Sequence, residues 1–186
     1  HAANTPPSER PWPHALAVPG GVVRLPLGAA TRRPQALADG VPLLVLGQAQ
    51  GWTALVGVPL SAVPGEAAIE WRVSGEPARR VTYTIAPKRY AEQRLRVAPK
   101  TVDLSPEDLV RFERERVHQQ TVVATLSDAP GVWDSDPNAL HMQAPVPGRR
   151  SSSFGLRRVF NGQARNPHSG MDIAAPSGTP VMAPLA

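Results

Sequence analysis

His168 and Asp172 stand four residues apart in the stretch Asn166-Pro167-His168-Ser169-Gly170-Met171-Asp172-Ile173-Ala174-Ala175-Pro176. A neutral imidazole and an ionised carboxylate are both ordinary zinc ligands. On a β-strand, side chains alternate with period two, so residues 168, 170 and 172 would share one face. Gly170 between the two donors would leave room for an ion and a water, while Met171 and Ile173 would turn to the core. Pro167, Gly170 and Pro176 argue against a helix here. A His and an Asp at this spacing also arise by chance in a chain of this composition, so spacing alone is a weak signal.

The elements that must position this pair are short and much interrupted. Of 186 residues, 22 are proline and 15 glycine, which favours brief strands joined by turns. Residues 1–15 read as a flexible leader, polar and proline-rich. Residues 16–100 form the first candidate domain. The runs Gly21–Leu27, Pro42–Gly47, Gly51–Leu60, Ala68–Val73 and Arg80–Ile85 read as strands, the second buried on both faces. Five or six strands at this spacing predict a small antiparallel β-sandwich.

Residues 101–127 carry the one good helix. Ser105 can cap it, Pro106 suits its first position, and Asp108 stands where a capping box places an acid. Glu107/Arg111 and Arg111/Glu115 can pair along its outer face, and the helix should run to about Leu126. Residues 128–150, rich in Asp, Pro and Gly, read as a linker. A second, β-rich domain begins at 151, and Asn161-Gly162 within it reads as a tight turn. The fold class is mainly β.

The net charge is +5, and Lys88 and Lys100 are the only lysines. Arg149, Arg150, Arg157, Arg158 and Arg165 cluster around the His/Asp segment. Such a cluster can attract an anionic polymer, or it can be an ordinary solvated surface. No aromatic residues alternate with it as a nucleic-acid platform requires, so nucleic acid is not an expected partner. The chain has no cysteine, which excludes disulfides, thiolate zinc sites and cysteine nucleophiles. No apolar run is long enough to span a membrane.

The order Ser153-Phe154-Gly155-Leu156-Arg157, then His168-Ser169-Gly170-Met171-Asp172-Ile173-Ala174-Ala175-Pro176-Ser177-Gly178-Thr179-Pro180-Val181, resembles the opening of the LytM/lysostaphin-type zinc metallopeptidases, which are murein endopeptidases of the cell wall. This resemblance covers residues 151–184. A looser one covers roughly residues 16–126: the run Ala54–Leu60 with Pro64-Gly65, the run Lys88–Leu95 and the helix start Leu104–Asp108 are similar to the amino-terminal part of exported members.

The resemblance implies that His168 and Asp172 are zinc ligands and that the substrate is a peptide cross-link of bacterial peptidoglycan. It implies an exported, periplasmic setting in the cell envelope. The family's third ligand comes from a downstream His-x-His motif, whose first histidine, with another before it, assists proton transfer. His1, His14, His118 and His141 all precede the segment and match none of these. Catalytic residues are therefore expected to be absent from residues 1–186, which should be inactive alone, as if cut inside the catalytic domain. A second polypeptide fragment could complete that domain. Arg157 and Arg158 are candidates for binding the carboxylates of a peptide stem. The alternative is a non-catalytic relative that binds peptidoglycan or regulates a wall hydrolase.

Overall fold

The computed structural model describes residues 13–96, 104–125 and 140–185. Most of the expected leader and part of the expected linker lie outside the described residues.

Seven strands build the first unit: β1 (Val22–Gly28), β2 (Gln35–Ala38), β3 (Val41–Pro42), β4 (Leu44–Gln48), β5 (Gly51–Gly57), β6 (Gly65–Arg72) and β7 (Arg79–Ile85). They form two antiparallel sheets, one ordered β1-β5-β4 and the other β3-β2-β6-β7. The period-two pattern explains how the sheets face each other. Val23, Leu25 and Leu27 of β1 and Ala54 and Val56 of β5 point inward from the first sheet. Ala36 of β2, Ile69 and Trp71 of β6 and Ile85 of β7 meet them from the second. The result is the predicted small sandwich with one shared core. In β4, consecutive Val45 and Leu46 are both 3% exposed, as expected of a run buried on both faces.

The β2–β3 hairpin is not among the strands expected from sequence. Its signal is Asp39-Gly40, with φ of 47° and 80°. Two positive φ values in a two-residue loop define the turn that suits strand twist, and Asp-Gly is a favoured pair for it. Asn161-Gly162 repeats this arrangement at φ of 50° and 85°, and is the tight turn expected.

Helix α1 (Pro106–Ala124) begins as predicted: the Asp108 backbone N–H donates to Ser105 Oγ at 3.1 Å. It stops at Ala124, two residues before the expected end. Arg111 Nε pairs with Glu115 at 2.7 Å. None of its residues is buried. A helix without tertiary packing depends on its caps and side-chain pairs. Ser105→Ala is therefore expected to cost the helix about 1 kcal/mol, read as lost far-ultraviolet helicity.

Five further strands are short: β8 (Glu92–Leu95), β9 (Arg149–Ser152), β10 (Arg157–Phe160), β11 (Gln163–Ala164) and β12 (Asp172–Ala174). β10 lies between β11, antiparallel, and β8, parallel. β12 pairs antiparallel with β9. A segment as short as residues 151–186 cannot bury an independent core and would leave strand edges open. The β8–β10 pairing takes up one of those edges and joins the stretch before the helix to the stretch after it.

Candidate metal centre

The single strand expected to carry residues 168, 170 and 172 on one face does not form. Only Asp172 lies in a strand, and Gly170 sits at a bend. The cause is local: Pro167 offers no N–H to a ladder, and Gly170 lets the chain turn. His168 is held instead by two backbone bonds. Its N–H donates to Leu156 O at 3.0 Å, and its carbonyl accepts from the Gly155 N–H at 2.7 Å. Met171 is 50% exposed rather than turned to the core, and Ile173 is half-buried.

The two donors nevertheless converge. His168 Nε2 lies 3.2 Å from Asp172 Oδ1. Register explains how: Asp172 stands opposite Ser152 across the β9–β12 pair, and Ser152 Oγ lies 3.3 Å from His168 Nδ1. The ladder slips between Asp172 and Ile173, which sets Asp172 apart from the regular pleat.

The other ring nitrogen is anchored as well. His168 Nδ1 is 3.1 Å from Ser153 O. A carbonyl only accepts, so Nδ1 donates in that contact, and a neutral imidazole would then turn its Nε2 lone pair toward Asp172. Two acceptors facing each other are unfavourable until a cation or a proton lies between them. Two ligands about 2.0–2.2 Å from one tetrahedral zinc stand roughly 3.3–3.6 Å apart, so the observed gap is close to that of a shared ion. Orientation of a ligating histidine through its second nitrogen is the usual arrangement in metal sites. Gly170 leaves the approach clear, because a Cβ there would meet only His168 Nε2, at 3.9 Å. Among the described residues, no group of three His, Cys, Asp or Glu could hold a metal.

The two candidate substrate arginines differ. Arg157 is exposed. Arg158 is half-buried, and its Nη2 donates to Ser152 Oγ at 3.0 Å, so its guanidinium supports the hydroxyl beside the imidazole. Ser152, buried at 9% exposure, was not singled out by the sequence reading. Three consecutive serines, Ser151 to Ser153, give no sign of which one faces the ring. Ser152→Ala is expected to lower zinc affinity about 10- to 100-fold, the range typical of outer-shell partners, measured by competition with a chromophoric chelator.

The class that the fold defines is a two-sheet β-domain followed by short strands that bring an imidazole and a carboxylate together. Residues 15–88 match the Peptidase family M23 N-terminal domain. The chain is also similar to a crystal structure from Pseudomonas aeruginosa described as a "putative peptidase M23". Identity is 34% over 91% of this chain and 60% of that one, with a TM-score of 0.65. This chain thus spans about three-fifths of that structure's length. No curated protein matches it. Its residues 15–88 thus carry an M23-type N-terminal domain, and most of the chain is similar to part of an M23 peptidase.

Proposed function

We propose that this chain carries two zinc ligands, His168 and Asp172, of an endopeptidase that hydrolyses peptide cross-links of bacterial peptidoglycan. The observation that supports this best is the 3.2 Å approach of Nε2 to Oδ1, with Nδ1 held from behind by Ser153 O. Zinc bound there would polarise a scissile carbonyl and acidify a water. His168 and Asp172 supply lone pairs to the ion, and Ser153 and Ser152 fix the ring so that Nε2 faces outward. Arg157, exposed on β10, would meet a stem-peptide carboxylate in this reading. A third ligand and a proton-transfer histidine complete the chemistry in this reading, and the described residues of the site supply neither. Residues 1–186 alone are accordingly read as inactive.

M23 family members are often exported, which supports a periplasmic setting as part of this proposal. Among the described residues, no helix is long and apolar enough to cross a membrane. The β-domain would position the enzyme on its polymer or cover part of the groove.

Metal titration tests the reading together with a digest. Residues 1–186 should bind zinc at one weak site per chain and leave cross-linked muropeptides intact. Joined to the His-x-His segment of an M23 relative, they should bind about one zinc tightly and cleave the cross-links. Zinc binding that does not involve His168 and Asp172 would overturn the proposal. Attachment to purified sacculi without zinc or cleavage would favour the regulator reading instead.

A further inference from the structure

Tyr90, just before β8, touches two separate parts of the chain, Pro19–Gly20 and Phe154–Gly155. Its hydroxyl donates to Pro19 O at 2.7 Å, across 71 residues of sequence. Its ring meets Phe154 edge to face, with centroids 6.4 Å apart. Its ring also covers Gly155 so closely that a Cβ there would overlap it. Gly20, the neighbour of Pro19, is equally confined: a Cβ there would come within 2.7 Å of both the Tyr90 hydroxyl and the Phe154 ring. Gly20 and Gly155 both have positive φ, 78° and 82°, so each position favours glycine for its backbone as well as for space. Two glycines thus clear a socket for one aromatic ring.

The two sides of this socket lead to different places. The Gly20 N–H donates to Val58 O at 2.9 Å, which ties that corner to the end of the sandwich core. On the other side, Gly155 is the residue whose N–H donates to the His168 carbonyl. One path from sandwich to imidazole therefore runs through the Tyr90 side chain, beside the backbone pairing of β8 with β10. Helix α1, the other connection along the chain, buries none of its residues and provides no comparable joint.

We infer that Tyr90 is a positioning residue through which the amino-terminal β-domain sets the placement of His168. A phenol is suited to this: the ring supplies rigid contact area at one end and the hydroxyl a directional bond at the other. The inference deepens the zinc reading and rests on it for its consequence, namely that seating the β-domain tunes the metal site. Its structural content can be tested without metal.

The test is amide hydrogen exchange in the metal-free chain, followed at Gly155 and His168, with Val56 and Ile69 as reporters of the sandwich. Tyr90→Ala is expected to speed exchange at Gly155 and His168 by about tenfold or more while the sandwich amides keep their protection. Tyr90→Phe retains the ring and loses the bond to Pro19, so it should give a smaller acceleration at the same two amides. Cobalt titration of the same variants should show weakened binding in the same order. Unchanged exchange at His168 in Tyr90→Ala would overturn the inference. Faster exchange throughout the sandwich would also overturn it, by making Tyr90 a general stability residue. Wild-type exchange in Tyr90→Phe would remove the β-domain from the mechanism. Local loosening at Gly155 and His168 in a protein that takes no metal would leave the joint standing and defeat the zinc reading alone.

Discussion

Replacing His168 with alanine is expected to lower zinc affinity by more than about 100-fold, since changes to outer-shell partners alone typically cost 10- to 100-fold. The expectation follows from the donor geometry. Two protein atoms, Nε2 and Oδ1, face one point from 3.2 Å apart. Removing either leaves one donor, which cannot hold a divalent ion against water. Asp172→Ala should match the histidine variant. Asp172→Asn keeps a carbonyl oxygen at the same place without the charge, so its loss should be intermediate. His141→Ala, altering a histidine that the proposed site does not use, should titrate as wild type. Competition titration reads all four variants, and wild-type affinity in His168→Ala would refute the assignment. Neither ligand variant is expected to unfold the chain: Asp172 is half exposed and His168 lies outside the sandwich core.

The path from sequence to this site was legible in some places and closed in others, for physical reasons. Strands with clean alternation, such as β6 with Ile69 and Trp71 turned inward, announce themselves because one face is buried. The helix start was equally plain, since a serine cap, a proline and an acid each serve a separate need of the first turn. The β2–β3 hairpin was missed although Asp39-Gly40 carries it, because Pro42 and the short apolar runs on either side obscure the period. The convergence of His168 with Asp172 was foreseen, but through the wrong geometry. A regular strand would have aligned them, whereas the structure uses a bend at Gly170 and cross-strand placement of Asp172 against Ser152. Ser152, Arg158 and Tyr90 act across gaps of 6 to 71 residues. No local pattern encodes contacts of that kind; they appear only when the chain is folded.

Ile69→Ala should have the second large effect, this time on stability. Ile69 is 1% exposed at the centre of β6, flanked by β2 and β7 and facing the residues of β1 and β5. Truncating a side chain so placed removes its burial and leaves a cavity that the two sheets cannot close without bending, a cost of about 2–5 kcal/mol. With a urea dependence of roughly 1–3 kcal/mol per molar, the unfolding midpoint should fall by about 1–2 M. Val110→Ala, on the face of α1 and 72% exposed, should change it by less than about 0.5 kcal/mol. Followed by tryptophan fluorescence, the first variant should shift the transition while the second superimposes on wild type, and equal behaviour would mean that the sandwich core does not govern unfolding. The consequence reaches the metal site by the route through Tyr90. A sandwich that opens releases the Pro19–Gly20 corner, and with it the ring that confines Gly155 and His168. Zinc affinity in Ile69→Ala should therefore decline at urea concentrations where the wild-type sandwich is still closed, although the substituted residue touches neither ligand.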